Sequence, residues 1–248
     1  MEKGLMFSVA TGRSLSTALR GVHGLALPHP LIYNNGVFVG CAAGHRLRET
    51  CFPGETARLA LDLLIRHGIY PLAHAMLAGA ERTSYMPSLA TPELMAFLGR
   101  SRLAGGDPRR REVDRPEELY AGRVFYLVCP GAADRLEPAW KELLAGPPGL
   151  FQVYFSNSIY TGSTFLEVLP GEATKGAAAR FLKERLGCSR LVSFGDAVND
   201  IPLFEASDES YATAEAPPLV QAAATAVIGS HREDAVARWM ADHALASC

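Results

Sequence analysis

Short apolar runs near both ends of this 248-residue chain stop abruptly at polar residues. Residues 5–10 lead into Thr11-Gly12-Arg13, and residues 191–194 lead into Gly195 and Asp196. Apolar runs of this kind are typical of buried parallel strands. Because parallel strands place their carboxyl ends at one edge of a sheet, we expect the polar residues from both ends of the chain to meet there.

Strands and helices alternate on both sides of a long central stretch with a different pattern. The outer parts are predicted to hold strands at 5–10, 31–33, 191–194, 211–213 and 226–228, and helices at 14–24, 174–186 and 233–246. A turn is predicted at Asn34-Asn35-Gly36. The central part reads as an α+β block with an apolar helical stripe over 55–67, a polar loop over 101–116, and an Asn- and Ser-rich turn between strands at 150–155 and 164–169. We therefore predict an α/β fold with a parallel-sheet core from 1–40 and 169–248 and an inserted domain over 41–168.

Charge and composition exclude several classes of function. Lys and Arg total 24 and Asp and Glu total 26, a net charge of −2, which argues against a nucleic-acid partner bound through a broad basic face. The run Arg109-Arg110-Arg111 is interpreted as a solvated loop rather than an anion contact. No apolar run approaches the ~18–20 residues of a membrane span. The five cysteines form no C-x-x-C pair, which favours a reducing cytoplasm.

Three polar clusters follow predicted strands or begin predicted helices. Thr11 and Gly12 offer a hydroxyl and backbone N–H groups suited to phosphate, although a simple turn and helix cap also fits. Lys175 begins a helix, where a cation is disfavoured unless an anion lies beside it; a solvated lysine is the alternative.

The third cluster is Gly195-Asp196-Ala197-Val198-Asn199-Asp200. Two carboxylates and an amide within this short segment supply the hard oxygen ligands that Mg²⁺ prefers. An Asx-rich turn that caps the next helix is the alternative interpretation.

The order of these clusters resembles the haloacid-dehalogenase (HAD) superfamily, and its details resemble the Cof-type branch of small-molecule phosphatases. The resemblance implies a Rossmann-like HAD core with 41–168 as the cap domain. It implies a catalytic, phosphate-binding hydroxyl on Thr11 and a catalytic, substrate-binding cation on Lys175. It also implies a Mg²⁺ site at Asp196 and Asp200. The remaining residues expected on the substrate side are Gly12, Arg13, Asn35, Gly36 and Asn199.

The resemblance also implies a motif that this chain lacks. Family members carry Asp-x-Asp after a central first strand, and its first Asp attacks phosphorus. No Asp-x-Asp occurs in the sequence, and none of the ten residues before Thr11 is Asp. We expect a start codon placed too late or a truncated chain. A catalytically dead relative and a strand supplied by a partner chain or another segment are the alternatives.

The expected function is therefore that of a Mg²⁺-dependent phosphatase of small phosphorylated metabolites such as sugar phosphates, impaired in the chain as written. The competing hypothesis is a non-catalytic protein that binds phosphorylated ligands on the same scaffold. The cap loops carry no motif that identifies the substrate, and the sequence assigns no oligomeric state.

Overall fold

The computed structural model describes residues 5–99, 106–157 and 162–244. The chain divides into two compact units, one formed by Met1–Glu49 with Ala173–Cys248 and the other by Thr50–Glu172. The boundary predicted after residue 40 is too early, because Arg46–Glu49 pairs with Phe38–Gly40. The boundary predicted after residue 168 falls inside the strand Thr164–Pro170, which belongs to the second unit.

The first unit begins with one helix and a small antiparallel sheet. Its elements are α1 (Leu15–Gly21), β1 (Leu31–Tyr33), β2 (Phe38–Gly40) and β3 (Arg46–Glu49), with the strands in the order β1-β2-β3. The predicted turn between β1 and β2 is confirmed. Asn34, Asn35 and Gly36 have φ angles of 49°, 56° and 97°, which Asn and Gly adopt more readily than other residues.

The strand predicted over residues 5–10 is wrong except at its end. Ala10 forms an isolated parallel bridge with Ile32, whose N–H donates to Val9 O at 2.8 Å. Leu5, at 40% exposure, and Met6, at 49%, lie largely outside any core. A strand assignment requires a continuous ladder, and β1 provides a partner only for the last residues of this run.

The second unit is an α+β domain with a mixed six-stranded sheet in the order β6-β5-β4-β7-β9-β8. Only the β5–β6 pair is parallel. The elements are α2 (Gly54–Arg66), β4 (Leu72–Leu77), β5 (Ala80–Tyr85), α3 (Pro92–Gly99), β6 (Arg110–Glu112), β7 (Arg123–Gly131), α4 (Ala133–Leu144), β8 (Phe151–Asn157) and β9 (Thr164–Pro170). Leu61, Leu64, Leu127 and Leu166 are fully buried in its core.

The arginine run does not form the solvated loop that we predicted, since β6 contains two of its three residues. Arg109 forms ion pairs with Asp107 at 2.6 Å and Glu81 at 3.1 Å, and Arg111 pairs with Glu118 at 3.1 Å. The guanidinium groups of Arg109 and Arg111 are thus engaged by acids of the same unit. Part of the predicted loop, 101–105, lies outside the described residues, as does most of the turn predicted between β8 and β9.

The rest of the first unit alternates helices with parallel strands. Its elements are α5 (Lys175–Leu186), β10 (Val192–Gly195), α6 (Ile201–Glu205), β11 (Glu209–Ala212), α7 (Pro218–Ala223), β12 (Ala226–Val227) and α8 (Ala235–Trp239). The sheet order is β10-β11-β12 and both pairs are parallel. This alternation confirms the predicted α/β class. The helix predicted over 233–246 is α-helical only in α8 and continues as a π-helical turn over Met240–Ala244, while residues 245–248 lie outside the described part.

Within the described ranges, no helix combines the length and the apolar character that crossing a bilayer requires.

Candidate active site

The segment after β10 folds back on itself around the carboxylate of Asp200. Asp200 Oδ2 accepts hydrogen bonds from the backbone N–H of Asp196 at 3.0 Å and of Ala197 at 3.1 Å. A Cβ on Gly195 would lie 2.6 Å from Asp200 Cγ, so only glycine leaves room for this carboxyl group. The spacing of the motif therefore closes a loop that fixes Asp200 at the carboxyl end of the parallel sheet.

Lys175 lies at the first position of α5 and reaches this loop. The helix is capped by Thr174, whose hydroxyl accepts a hydrogen bond from the N–H of Ala177 at 3.0 Å. Lys175 Nζ lies 2.6 Å from Asp200 Oδ1, and each side chain is only 6% exposed. The anion that accompanies this cation is thus a buried carboxylate, and the interpretation of Lys175 as a solvated lysine is wrong.

Asn199 connects this pair to the turn after β1. Lys175 Nζ donates to Asn199 Oδ1 at 3.3 Å, and Asn199 Nδ2 donates to Asn35 Oδ1 at 2.9 Å. The turn is seated against α5, because a Cβ on Gly36 would lie 2.2 Å from Thr174 O. Three segments that are distant in sequence therefore meet at one cluster of side chains.

The loop after residue 10 joins the cluster through its backbone. Thr11 N–H donates to Ile32 O at 2.9 Å, and Thr11 O accepts from the N–H of Asn35 at 3.1 Å. The Thr11 hydroxyl accepts the N–H of Arg13 at 3.2 Å. Gly12 passes close to Asn35, where a Cβ would lie 2.8 Å from Oδ1. Thr11 and Gly12 are half-buried, whereas Arg13 is exposed.

The chemistry of the acidic side chains suits a hard cation. Asp196 is exposed at the carboxyl end of β10, and no hydrogen bond of its carboxylate is found among the described residues. Both oxygens of Asp200 already accept hydrogen bonds, from Lys175 and from the loop backbone. Within the described part of the chain, no group of three or more His, Cys, Asp or Glu side chains is arranged to hold a metal. Two carboxylates are nevertheless the usual protein contribution to a Mg²⁺ site that also uses phosphate and water.

The structure brings together Asn35, Lys175, Asn199 and Asp200 by side-chain hydrogen bonds. It brings Thr11, Gly12 and Gly36 to them through close backbone contacts. The side chains of Arg13 and Asp196 make no described hydrogen bond to this cluster. Asn35 and Gly36 are buried, which sequence reasoning about the substrate side did not anticipate.

Sequence reasoning also missed the burial of Asn34 and Thr213 in this unit. The Nδ2 of Asn34 and the hydroxyl of Thr213 are buried, and neither has a hydrogen-bond partner among the residues that the structure describes. Asn34 is recognisable in the sequence only as part of a turn, and Thr213 only as the last residue of a predicted strand, which in the structure ends at Ala212. No residue pattern signals that either would be enclosed.

A family model described as haloacid dehalogenase-like hydrolase matches residues 1–240. The chain belongs to the haloacid dehalogenase-like hydrolases. This match confirms the resemblance drawn from the motif order, including that to the Cof-type branch. A provisionally named phosphatase of Haemophilus influenzae is 36% identical over 77 residues, which is 30% of this chain and 29% of that relative. The aligned part thus spans under a third of that relative's length.

Solved structures of other proteins share the fold of this chain. A protein from Streptococcus mutans superposes with a TM-score of 0.76 at 19% identity, over 99% of this chain and 88% of the other. A subclass IIB sugar phosphatase superposes with a TM-score of 0.72 at 18% identity, over 97% of this chain and 86% of the other. At such identities the likeness is one of fold.

Proposed function

We propose that this chain provides the phosphate-binding scaffold of a Mg²⁺-dependent phosphatase that hydrolyses small phosphorylated metabolites such as sugar phosphates. The observation that carries the proposal is the buried ammonium of Lys175, held by Asn199 and Asp200 in the unit that also contains the Thr11 loop. The shared fold with a sugar phosphatase supports the same substrate class.

Each residue of the candidate site has its own role in the proposed phosphoryl transfer. Catalysis of this reaction is mostly positioning and neutralisation of charge on the phosphoryl oxygens. Lys175 supplies a fixed positive charge, while the Thr11 hydroxyl and the backbone N–H of Gly12 supply hydrogen-bond donors. Arg13, which is exposed beside them, would contact the remainder of the substrate.

The proposed Mg²⁺ would be held by Asp196 and Asp200, whose carboxylates flank the loop after β10. When bound, the ion supplies positive charge that stabilises the phosphoryl oxygens.

The attacking group is the part of the proposal that this sequence does not contain. The chain has no Asp-x-Asp, and Asp62, Asp107 and Asp134 lie in the second unit. In the reaction that we propose, the attacking group is an Asp-x-Asp carboxylate, which this sequence does not supply. It would displace the alcohol from phosphorus and form an acyl phosphate, which water then hydrolyses.

The absence of Asp-x-Asp favours one other candidate, a non-catalytic protein that binds phosphorylated ligands at the same site. Both candidates take small molecules rather than nucleic acid as partners. Both also place the protein in a reducing cytoplasm, in keeping with the cysteine pattern.

One experiment separates the two candidates. Phosphate release from a panel of sugar phosphates is measured with and without Mg²⁺, for this chain and for an N-terminally extended version that contains Asp-x-Asp. We expect Mg²⁺-dependent release from the extended chain alone. Equal robust release from both chains would refute the requirement for an Asp-x-Asp nucleophile. An inactive extended chain whose melting temperature rises with a phosphorylated sugar would instead support the binding protein.

A further inference from the structure

Asn199 makes two hydrogen bonds of opposite polarity. Its Nδ2 donates to Asn35 Oδ1 at 2.9 Å, and its Oδ1 accepts from Lys175 Nζ at 3.3 Å. An amide has one donor end and one acceptor end. The bond of Nδ2 to Asn35 therefore directs Oδ1 towards Lys175, and the bond of Oδ1 to Lys175 directs Nδ2 towards Asn35. Rotating the amide by half a turn would place NH₂ against the Lys175 ammonium and oxygen against Asn35 Oδ1, which loses both bonds.

Asn35 is itself held rigidly, so it can impose this orientation. Its side chain is buried at 1% exposure, and its backbone adopts the left-handed conformation with φ of 56°. Its N–H donates to Thr11 O at 3.1 Å, and Gly12 lies directly against its amide oxygen. At 1% exposure, Asn35 offers almost no surface to a small molecule, unlike a residue that contacts substrate.

We propose that Asn35 is a positioning residue that acts through Asn199 to orient the Lys175 ammonium. Asn35 Oδ1 fixes the Asn199 amide. The Asn199 oxygen then gives Lys175 Nζ a second hydrogen-bond acceptor besides Asp200. The link to catalysis rests on the proposed function, in which Lys175 neutralises a phosphoryl group. The hydrogen-bond relay itself does not depend on that function.

Loss of the Asn35 side chain has a defined consequence. Without an acceptor for Nδ2, Asn199 gains rotational freedom and Lys175 retains only its 2.6 Å contact with Asp200 as a fixed bond. The ammonium then lies closer to the carboxylate and is less available to an anion. The affinity for phosphate should therefore fall, although the fold and the buried ion pair persist.

The test uses two variants and a neighbouring control in this chain. Asn35→Gly removes the acceptor and tolerates the positive φ, whereas Asn35→Asp keeps an acceptor oxygen at the same place. Asn34→Gly is the control, because Asn34 also has a positive φ, of 49°, and its Nδ2 has no hydrogen-bond partner within the described part of the chain. All four proteins are compared by circular dichroism before further measurement.

The first readout is hydrogen exchange of the Asn199 side-chain amide, measured by ¹⁵N-resolved NMR. We expect exchange to accelerate about tenfold or more in Asn35→Gly, and to remain slow in Asn35→Asp and Asn34→Gly. A folded Asn35→Gly protein with unchanged exchange would overturn the proposal. Equal acceleration in Asn34→Gly would also overturn it, since the effect would then be a general one of the turn.

The second readout is titration with inorganic phosphate. We expect binding about tenfold weaker in Asn35→Gly than in the unmodified chain, and unchanged in Asn34→Gly. Equal affinity in Asn35→Gly and the unmodified chain would overturn the proposal. If the unmodified chain binds no phosphate, the proposed function fails, and amide exchange alone decides whether Asn35 orients Asn199.

Discussion

Lys175 Nζ and Asp200 Oδ1 lie 2.6 Å apart in a pair of side chains that are each 6% exposed. Lys175 is the first residue of α5 and Asp200 is the last residue of the motif after β10. The two residues are 25 positions apart in the chain. Removing two such charges from water is costly unless each retains several partners. Asn199 supplies a second partner to the ammonium, and two backbone N–H groups satisfy the other carboxylate oxygen.

The first prediction concerns the stability of this pair. Lys175→Met would leave the Asp200 carboxylate buried without its cation, and we expect unfolding to become easier by about 3–5 kcal/mol. Lys183→Met on the same helix removes a more exposed pair with Asp208 at 2.7 Å, and should cost less than about 1 kcal/mol. Urea denaturation of both variants measures the difference. Equal losses would show that the Lys175 pair is not buried as described.

The second prediction concerns the close approach of the turn after β1 to α5. Gly36→Ala places a Cβ 2.2 Å from Thr174 O and also strains a φ of 97°. Gly44→Ala is the matched control, because its φ is 90° but nothing lies within 4 Å of the added Cβ. We expect the control to lose about 1 kcal/mol from backbone strain and Gly36→Ala to lose about 1–3 kcal/mol more. Chemical denaturation that gives the same loss for both would contradict the packing of Gly36 against α5.

The third prediction concerns the dependence of stability on pH. His74 in β4 lies 3.1 Å from the Thr83 hydroxyl and packs against the rings of Phe125 and Tyr126. Burial, aided by the charge of Arg109, lowers the pKa of His74 from 6.5 to about 4. Between these two pH values the unfolded chain binds a proton that the folded chain does not, so stability falls as the pH drops below about 6.5.

The measurement is the free energy of unfolding at pH 7.5 and pH 5. The pKa shift of His74 corresponds to a loss of about 2 kcal/mol over this interval. His74→Gln should remove that part of the pH dependence, whereas His23→Gln, at an exposed position, should retain it. If His74→Gln shows the same pH dependence as the unmodified chain, His74 is not the group responsible.

The elements that the sequence predicted well are those whose pattern is local. The stripe of apolar residues in α2 and the Asn-Gly turn each depend on neighbours within a few positions. The motif after β10 was also predictable from local sequence, since Gly195 and Asp200 lie against one another within a single loop.

Elements whose partners are distant were harder to predict. β5 is a polar strand that pairs with β4 on one side and β6 on the other, and its residue Thr83 is buried. The arginine run becomes ordered in β6 through acids such as Glu81 and Glu118 that no spacing rule connects to it. The apolar pattern of residues 5–10 predicted a strand, but a strand forms only where a neighbouring ladder exists.

In the candidate site, too, the residue types were predictable from the sequence, whereas the long-range contacts between them were not. Thr11, Lys175 and Asp200 were identified as a set from their order in the chain and its family resemblance. The burial of Asn35 and its bond to Asn199 could not be predicted, because the two residues are 164 positions apart. Such a contact depends on how the loops pack in three dimensions.

The most direct test of the central claim compares Lys175→Met with Lys183→Met in the N-terminally extended chain. The measurement is Mg²⁺-dependent phosphate release from a sugar phosphate that the unmodified extended chain hydrolyses, under conditions where both variants remain folded. Our account predicts that kcat falls by about 10²–10³-fold or more in Lys175→Met and changes by less than about twofold in Lys183→Met. A Lys175→Met protein that retains kcat within a few-fold of the unmodified enzyme would contradict it.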